Sequence, residues 1–326
     1  MKQLLFILFV FAAFNPASAQ SKTGLTNIPD TSYNAQREYE KVKKEFPFIK
    51  IVNEFHSPAV AQKRNISYCI TGERSLLLDV FSPTQKTRIK RTAIIIIHGG
   101  GWRSGHRSLH YPLAQRLAQM GYVCFTPEYR LSTEALYPAA VYDLKAAVRW
   151  IKNNATAYGI DTTKIVALGH SAGGELAAFL GATNQQSLFE GTDCNRNLSS
   201  SINAVIDIDG TLAFIHPESG EGDDSKRTSA ATYWFGYSKT ENPELWKQAA
   251  PLTHAGKHTP PTLFLNSAVA RMHAGREDYI HKLNQFNIYT EVHDFNGAPH
   301  SFCLFEPWFT PMVTYIADFL KKVFPK

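Results

Sequence analysis

The chain has 326 residues and a formal net charge of +6, with charged residues at 19% and apolar ones at 44%. That length suffices for one α/β domain with a full core. The charge is modest and its one dense basic patch (Lys41, Lys43, Lys44) is interleaved with Glu38, Glu40 and Glu45, which describes a solvated helix face, excludes a nucleic-acid footprint and at most tolerates an anionic substrate.

Met1 and Lys2 precede an apolar run, Leu4–Phe14, and then Ala17, Ser18 and Ala19. This is the pattern of a secretory signal peptide over 1–19. The run is about half the roughly 20 residues that span a bilayer, so no stable membrane anchor is expected. No cysteine lies near the cleavage site to carry a lipid. Residues 20–60 are polar with scattered aromatics and read as an N-terminal arm; 61–326 hold the domain.

Within the domain, strands and helices alternate. Ile66–Ile70 and Leu76–Phe81 read as an antiparallel pair turned by Thr71–Arg74. Ala93–Ile97 is apolar throughout and mostly β-branched, as a strand buried on both faces must be. A helix over Leu113–Met120 ends at Gly121, and Tyr122–Thr126 is the next strand. Val141, Leu144, Val148 and Ile151 recur at helical spacing over Ala139–Asn153, after Pro138. Lys164–Leu168 is a strand, and Glu175–Leu180 opens a helix. Ala204–Ile208 and Thr262–Leu265 are short strands, Ala274–Gln285 a helix, Tyr289–His293 a strand and Met312–Val323 the last helix. Such alternation predicts a mostly parallel sheet with helices on both faces. Residues 211–255 interrupt it with Pro217, the acidic Glu218, Glu221, Asp223 and Asp224, and then Tyr233, Trp234, Phe235 and Trp246. They form either a surface excursion with its own small core or a cap whose aromatics line a site. Cys69, Cys124, Cys194 and Cys303 show no C-x-x-C spacing, against a zinc site. Export permits a disulfide, but no pairing follows from the sequence, and Cys124 inside a strand is expected to be a buried free thiol.

Three motifs carry chemistry. Gly169, His170, Ser171, Ala172 and Gly173 form a G-x-S-x-G elbow between a strand and a helix, a strained turn that thrusts the serine hydroxyl outward. A serine needs a base within hydrogen-bond reach, and His300, in a loop after the last strand, is the candidate. The tetrahedral intermediate needs preorganised donors. Gly100 and Gly101, within His98–Trp102 after the central strand, and Ala172 after the nucleophile are expected to offer backbone N–H groups. Trp102 is expected to contact substrate. His98 is expected to brace its loop and His170 the elbow.

With these residues the chain resembles the α/β-hydrolase superfamily, and within it the hormone-sensitive-lipase-like esterases and the bacterial acetyl- and feruloyl-esterase-like carbohydrate esterases. Tyr137–Ala140, Asp143 and Ala146–Trp150 are similar to that group's helix before the elbow. The resemblance covers about residues 65–324. It implies an α/β-hydrolase fold with a small cap insertion, acyl transfer without metal or organic cofactor, and an acetyl or feruloyl ester on a plant polysaccharide as substrate. It also implies an acid a few residues after Thr262–Leu265, where this chain has Val269. Asp209 at the end of Ala204–Ile208, Glu277 or Asp278 at a helix start, and Asp294 before His300 are the remaining candidates, Asp209 the preferred one. Glu175 departs from the group and either faces the pocket or sits on a wet helix face.

Together these features predict a secreted or periplasmic serine carboxylesterase. A lipase or peptidase could use the same site, though residues 211–230 are too polar for a lipid lid. The missing acid leaves open a binding protein without catalysis.

Overall fold

The computed structural model describes residues 23–192 and 194–325; the expected leader at 1–19 lies outside the described residues. In chain order the elements are α1 (Ala35–Val42), β1 (Lys50–Ile51), β2 (Val60–Thr71), β3 (Arg74–Pro83), β4 (Arg91–Ile97), α2 (Tyr111–Gln119), β5 (Val123–Pro127), α3 (Ala139–Asn153), α4 (Ala155–Tyr158), β6 (Ile160–His170) and α5 (Ala172–Ala182). They continue with β7 (Ala204–Ile208), α6 (Ala230–Phe235), α7 (Pro243–Gln248), α8 (Pro251–His254), β8 (Thr262–Asn266), α9 (Arg276–Asn284), β9 (Thr290–Asp294), β10 (Phe305–Glu306) and α10 (Phe309–Val323).

Eight strands form one sheet in the order β2-β3-β5-β4-β6-β7-β8-β9. β2, β3 and β5 meet antiparallel, and every pairing from β5 to β9 is parallel. β4 shows why the sheet is covered twice. Ala93, Ile95 and Ile97 face one cluster, with Val141, Leu144 and Val148 of α3 and Leu176 and Phe179 of α5. Ile94 and Ile96 face the other, with Leu113 and Leu117 of α2 and Met312, Ile316 and Leu320 of α10. The period of two sends alternate side chains to opposite layers, and the 3.6-residue period of each helix supplies the matching stripe. This is an α/β-hydrolase fold.

The departures from expectation are local. α9 starts at Arg276, because Gly275 takes φ +80° and separates it from a single 3-10 turn at Ala270–His273. α10 begins at Phe309, with Pro311 inside the first turn, where the missing N–H costs nothing. The arm is not loose polar chain: Glu38 and Glu40 of α1 pair with Lys41 and Lys43, and β1 pairs antiparallel with β10. Two-residue strands carry no periodic signal, so this clamp is invisible in sequence. Cys69 and Cys194 form a disulfide across 125 residues of chain, while Cys124 and Cys303 are buried thiols.

Candidate active site

The parallel strands β4, β6, β7 and β8 deliver their carboxyl ends to one edge, the usual place for a site in such a sheet. β6 ends at His170 and α5 starts at Ala172, so Ser171 alone makes the turn, at φ +58° and ψ −125°. That conformation costs a non-glycine residue of order 1–3 kcal/mol and persists only where its surroundings enforce it. Here the Ser171 N–H continues the ladder to the Ile208 carbonyl at 2.8 Å, and the Ser171 carbonyl accepts from Gly174 and Glu175 at 2.8 and 3.0 Å. The glycine at 173 is forced, because a Cβ there would lie 2.2 Å from the Ile97 carbonyl oxygen.

One strand over, β7 does the same thing. Asp209 continues the ladder with its N–H on the Leu265 carbonyl at 3.1 Å, then turns at φ +52°. The structure brings Asp209, His300 and Ser171 into one line: His300 Nδ1 lies 2.9 Å from Asp209 Oδ2 and His300 Nε2 2.8 Å from Ser171 Oγ. Glu277 and Asp278 are not there. Both are largely exposed, Glu277 against Arg276 and Asp278 against His216. Asp294 is held at the surface by Arg276.

Asp209 and Asp207 are both buried, yet their pKa values are shifted in opposite directions. Burial raises a carboxyl's pKa, but hydrogen bonds from His273, His300 and the Ser267 N–H outweigh it and hold Asp209 well below the usual range. Asp207 has the Gly210 N–H at 2.7 Å as its compensation, and burial pushes its pKa well up. Donor count sets the two carboxyls apart: more donors favour the ionised form of Asp209 than of Asp207.

The histidines around the line are neutral supports. Burial lowers His98 to about 4 and His170 to about 3. His170 Nε2 donates to the His300 carbonyl at 3.0 Å, fixing the loop that carries the base. His98 hydrogen-bonds the Gly99 carbonyl at 2.8 Å and stacks on Tyr129.

Gly100, Gly101 and Ala172 join Ser171 and His300 in the wall of a cavity of about 680 Å³. Gly100 takes φ +122°, and a Cβ there would fall 1.9 Å from the Ser104 carbonyl oxygen. Ala172 heads α5, where the first N–H groups have no intrahelical acceptor and the helix dipole is positive. The arrangement can therefore deprotonate a serine, orient the resulting imidazolium and receive a developing oxyanion.

A family model described as BD-FAE matches residues 78–270. The chain belongs to the BD-FAE family. The match takes in the glycine loop after β4, the elbow and Asp209; His273 and His300 lie beyond it. Esterase LipQ of Mycobacterium tuberculosis is 28% identical to this BD-FAE protein over 218 residues, 65% of this chain and 49% of LipQ. The rabbit (Oryctolagus cuniculus) arylacetamide deacetylase is 29% identical over 40% of this chain and 34% of its own. The chain thus spans about half the length, or less, of these relatives. Among solved structures, a truncated carbohydrate esterase from gut microbiota matches at TM-score 0.67 and 22% identity, covering 80% of this chain and 96% of that one. Thermogutta terrifontis esterase 2 matches at TM-score 0.67 and 23% identity, over 83% and 98%. At these identities the two structures speak for the fold alone.

In this BD-FAE chain, Trp102 and Glu175 are joined beside the cavity. Trp102 contributes to the cavity wall, but its indole is 3% exposed and stacks on Trp234 at 4.8 Å. Its Nε1 donates to Glu175 Oε2 at 2.9 Å. Glu175 is on no wet face: it is fully buried, and burial pushes its pKa far up despite the indole. The 211–255 segment sends Phe214, Trp234, Phe235 and Trp246 into the core. Polar groups of the same segment, among them Thr211, Glu221, Asp223 and Arg227, line the cavity, with Tyr233 the aromatic that joins them. Sequence reasoning missed His273, since a lone histidine in a loop carries no pattern, and Gly210, whose signal was the Asp-Gly pair ending an apolar strand.

Proposed function

We propose that this chain is an exported serine carboxylesterase that removes a short acyl group, acetyl or feruloyl, from a plant polysaccharide. The observation that carries the reading is the hydrogen-bonded line Asp209–His300–Ser171 opening onto a cavity walled by Gly100, Gly101 and Ala172. His300 Nε2 takes the Ser171 proton as Oγ attacks the ester carbonyl. The backbone N–H groups hold the oxyanion, and His300 returns the proton to the departing sugar oxygen. Water then releases the acid by the same steps in reverse. Asp209 stays ionised and fixes the imidazole tautomer throughout. An intact line removes the ground for a binding protein without catalysis.

The leaving group is read from the cavity wall. Asp30, Glu221, Asp223, Arg103, Arg227 and Arg271 surround it, and such groups suit a hydroxyl-rich sugar better than a long acyl chain. That a carbohydrate esterase from gut microbiota shares the fold makes this substrate class the first to test. Export is supported by the leader pattern of residues 1–19 and by the Cys69–Cys194 disulfide, which persists in an oxidising compartment.

Purified protein is expected to hydrolyse p-nitrophenyl acetate, and Ser171→Ala to lower kcat by about 10⁴-fold or more. Turnover that survives this change refutes the mechanism. Acetylated xylan, acetylated pectin and feruloylated arabinoxylan, assayed side by side, are expected to release acetate or ferulate from at least one. Release from none, by enzyme active on the small ester, refutes the polysaccharide assignment.

A further inference from the structure

Asp209 Oδ2 serves His300, and its other oxygen is held from the loop after β8. Oδ1 accepts from the Ser267 N–H at 2.7 Å and faces His273 Nε2 at 3.2 Å. A carboxylate only accepts, so Nε2 carries the proton and donates. Asp209 is fully buried while the His273 side chain is 17% exposed, and Arg271 and Met272, which precede His273 in the chain, line the cavity. With both donors in place, Oδ1 is pinned from two directions and the carboxylate plane cannot turn about its Cβ–Cγ bond. Oδ2 is then presented to His300 Nδ1. Asp209 also lies just past the end of β7, at a left-handed turn. The loop after β8, which offers no acid of its own to His300, supplies instead the two donors that steady the acid offered by β7.

We infer that His273 is a positioning residue for the hydrolysis: its Nε2–H locks Asp209 in the orientation that holds His300, without touching substrate. The inference rests on the serine-esterase reading and adds to it a second histidine on the acid.

The test compares wild type, His273→Ala and His273→Gln on p-nitrophenyl acetate, with the low-field proton resonance of the His300 Nδ1–H followed by NMR. His273→Ala is expected to lower kcat about 10- to 100-fold, the loss of one hydrogen bond to a charged group, with KM within twofold. His273→Gln, whose amide N–H reaches the same oxygen, is expected to recover most of kcat. The low-field resonance should persist in Gln and broaden or vanish in Ala. A kcat for Ala equal to wild type overturns the inference, as does equal impairment of Ala and Gln with the resonance intact in both. If the Ala protein does not fold, His273→Leu, which fills the space without a donor, takes its place under the same criteria. Wild type that hydrolyses no ester defeats the esterase reading instead, and the resonance, which needs no turnover, still decides the role of His273.

Discussion

Ser171 and Asp209 stand at the ends of neighbouring parallel strands and are built alike. Each donates one more ladder hydrogen bond past the end of its strand, each is a non-glycine residue at φ near +55° (+58° and +52°), and each has a glycine close behind, Gly173 and Gly210. Yet the first is announced by a five-residue motif and the second by almost nothing. The difference lies in what each turn must clear. The elbow joins β6 to α5 and folds so tightly on itself and on the end of β4 that Gly169 and Gly173 both face backbone at about 2 Å (1.9 Å from the Gly173 carbonyl and 2.2 Å from that of Ile97 for an added Cβ). The Asp209 turn needs one glycine, and the rest of its geometry comes from donors far along the chain, Ser267 and His273. A function written into backbone clearance leaves a local pattern; one written into side-chain donors from another loop does not.

The largest expected effect bears on whether the two ends act as one unit. Asp209→Asn removes the charge that stabilises His300 as imidazolium and lets the amide impose the wrong tautomer, so kcat on p-nitrophenyl acetate is expected to fall by about 10⁴-fold with the fold unchanged. Asp207→Asn, two residues away on a carboxyl whose pKa burial raises, is expected to leave kcat within tenfold. Equal rates for the two variants break the pairing of Ser171 with Asp209.

Smaller effects are expected from the glycines. A Cβ at position 210 would lie 2.3 Å from the Asp207 carboxylate and 2.3 Å from the Glu175 nitrogen, much as one at position 173 would meet the Ile97 carbonyl oxygen. Gly173→Ala and Gly210→Ala are each expected to lose about 3 kcal/mol of stability by overpacking, read as a lower urea midpoint at constant slope. A Gly210→Ala protein as stable as wild type would show that the second turn tolerates what the first cannot.

Most of the strands and helices, the elbow and the glycine loop after β4 were legible because each is carried by apolar periodicity or by glycines at fixed offsets, and His300 from its place in a loop after the last long strand. Asp209 was legible as the preferred one of four carboxyls, from its place at a strand end, but nothing in one dimension shows which of them reaches His300. Three features were not legible at all. The β1–β10 clamp is too short to have a period. The disulfide joins residues 125 apart, and no spacing rule selects Cys69 and Cys194 from the possible pairs. Glu175 follows Gly174 on the elbow helix and looks like an exposed first-turn acid, but the chain folds Trp102 and the 211–255 segment over it.

Glu175 also lies where the two turns meet: its N–H binds the Ser171 carbonyl at 3.0 Å and its nitrogen blocks a side chain at 210. Its titration therefore reports on the joint directly. Burial raises its folded pKa far above the ordinary 4.5. Below about pH 4.5 the folded and unfolded chains both keep the proton and no pH dependence arises. Above it the unfolded chain releases the proton and the folded one does not, so this group makes stability fall with rising pH. The slope is about 1.4 kcal/mol per unit until the folded pKa is reached. Glu175→Gln keeps an acceptor for the Trp102 indole and removes the titration. Its stability relative to wild type is expected to be unchanged at pH 4 and to improve as pH rises, until the folded pKa of Glu175 is reached, with kcat within tenfold. Urea unfolding of both proteins across that range is the measurement. A difference that stays flat with pH would mean that Glu175 is ionised in the folded protein, and that water or a cation reaches the joint between the two turns.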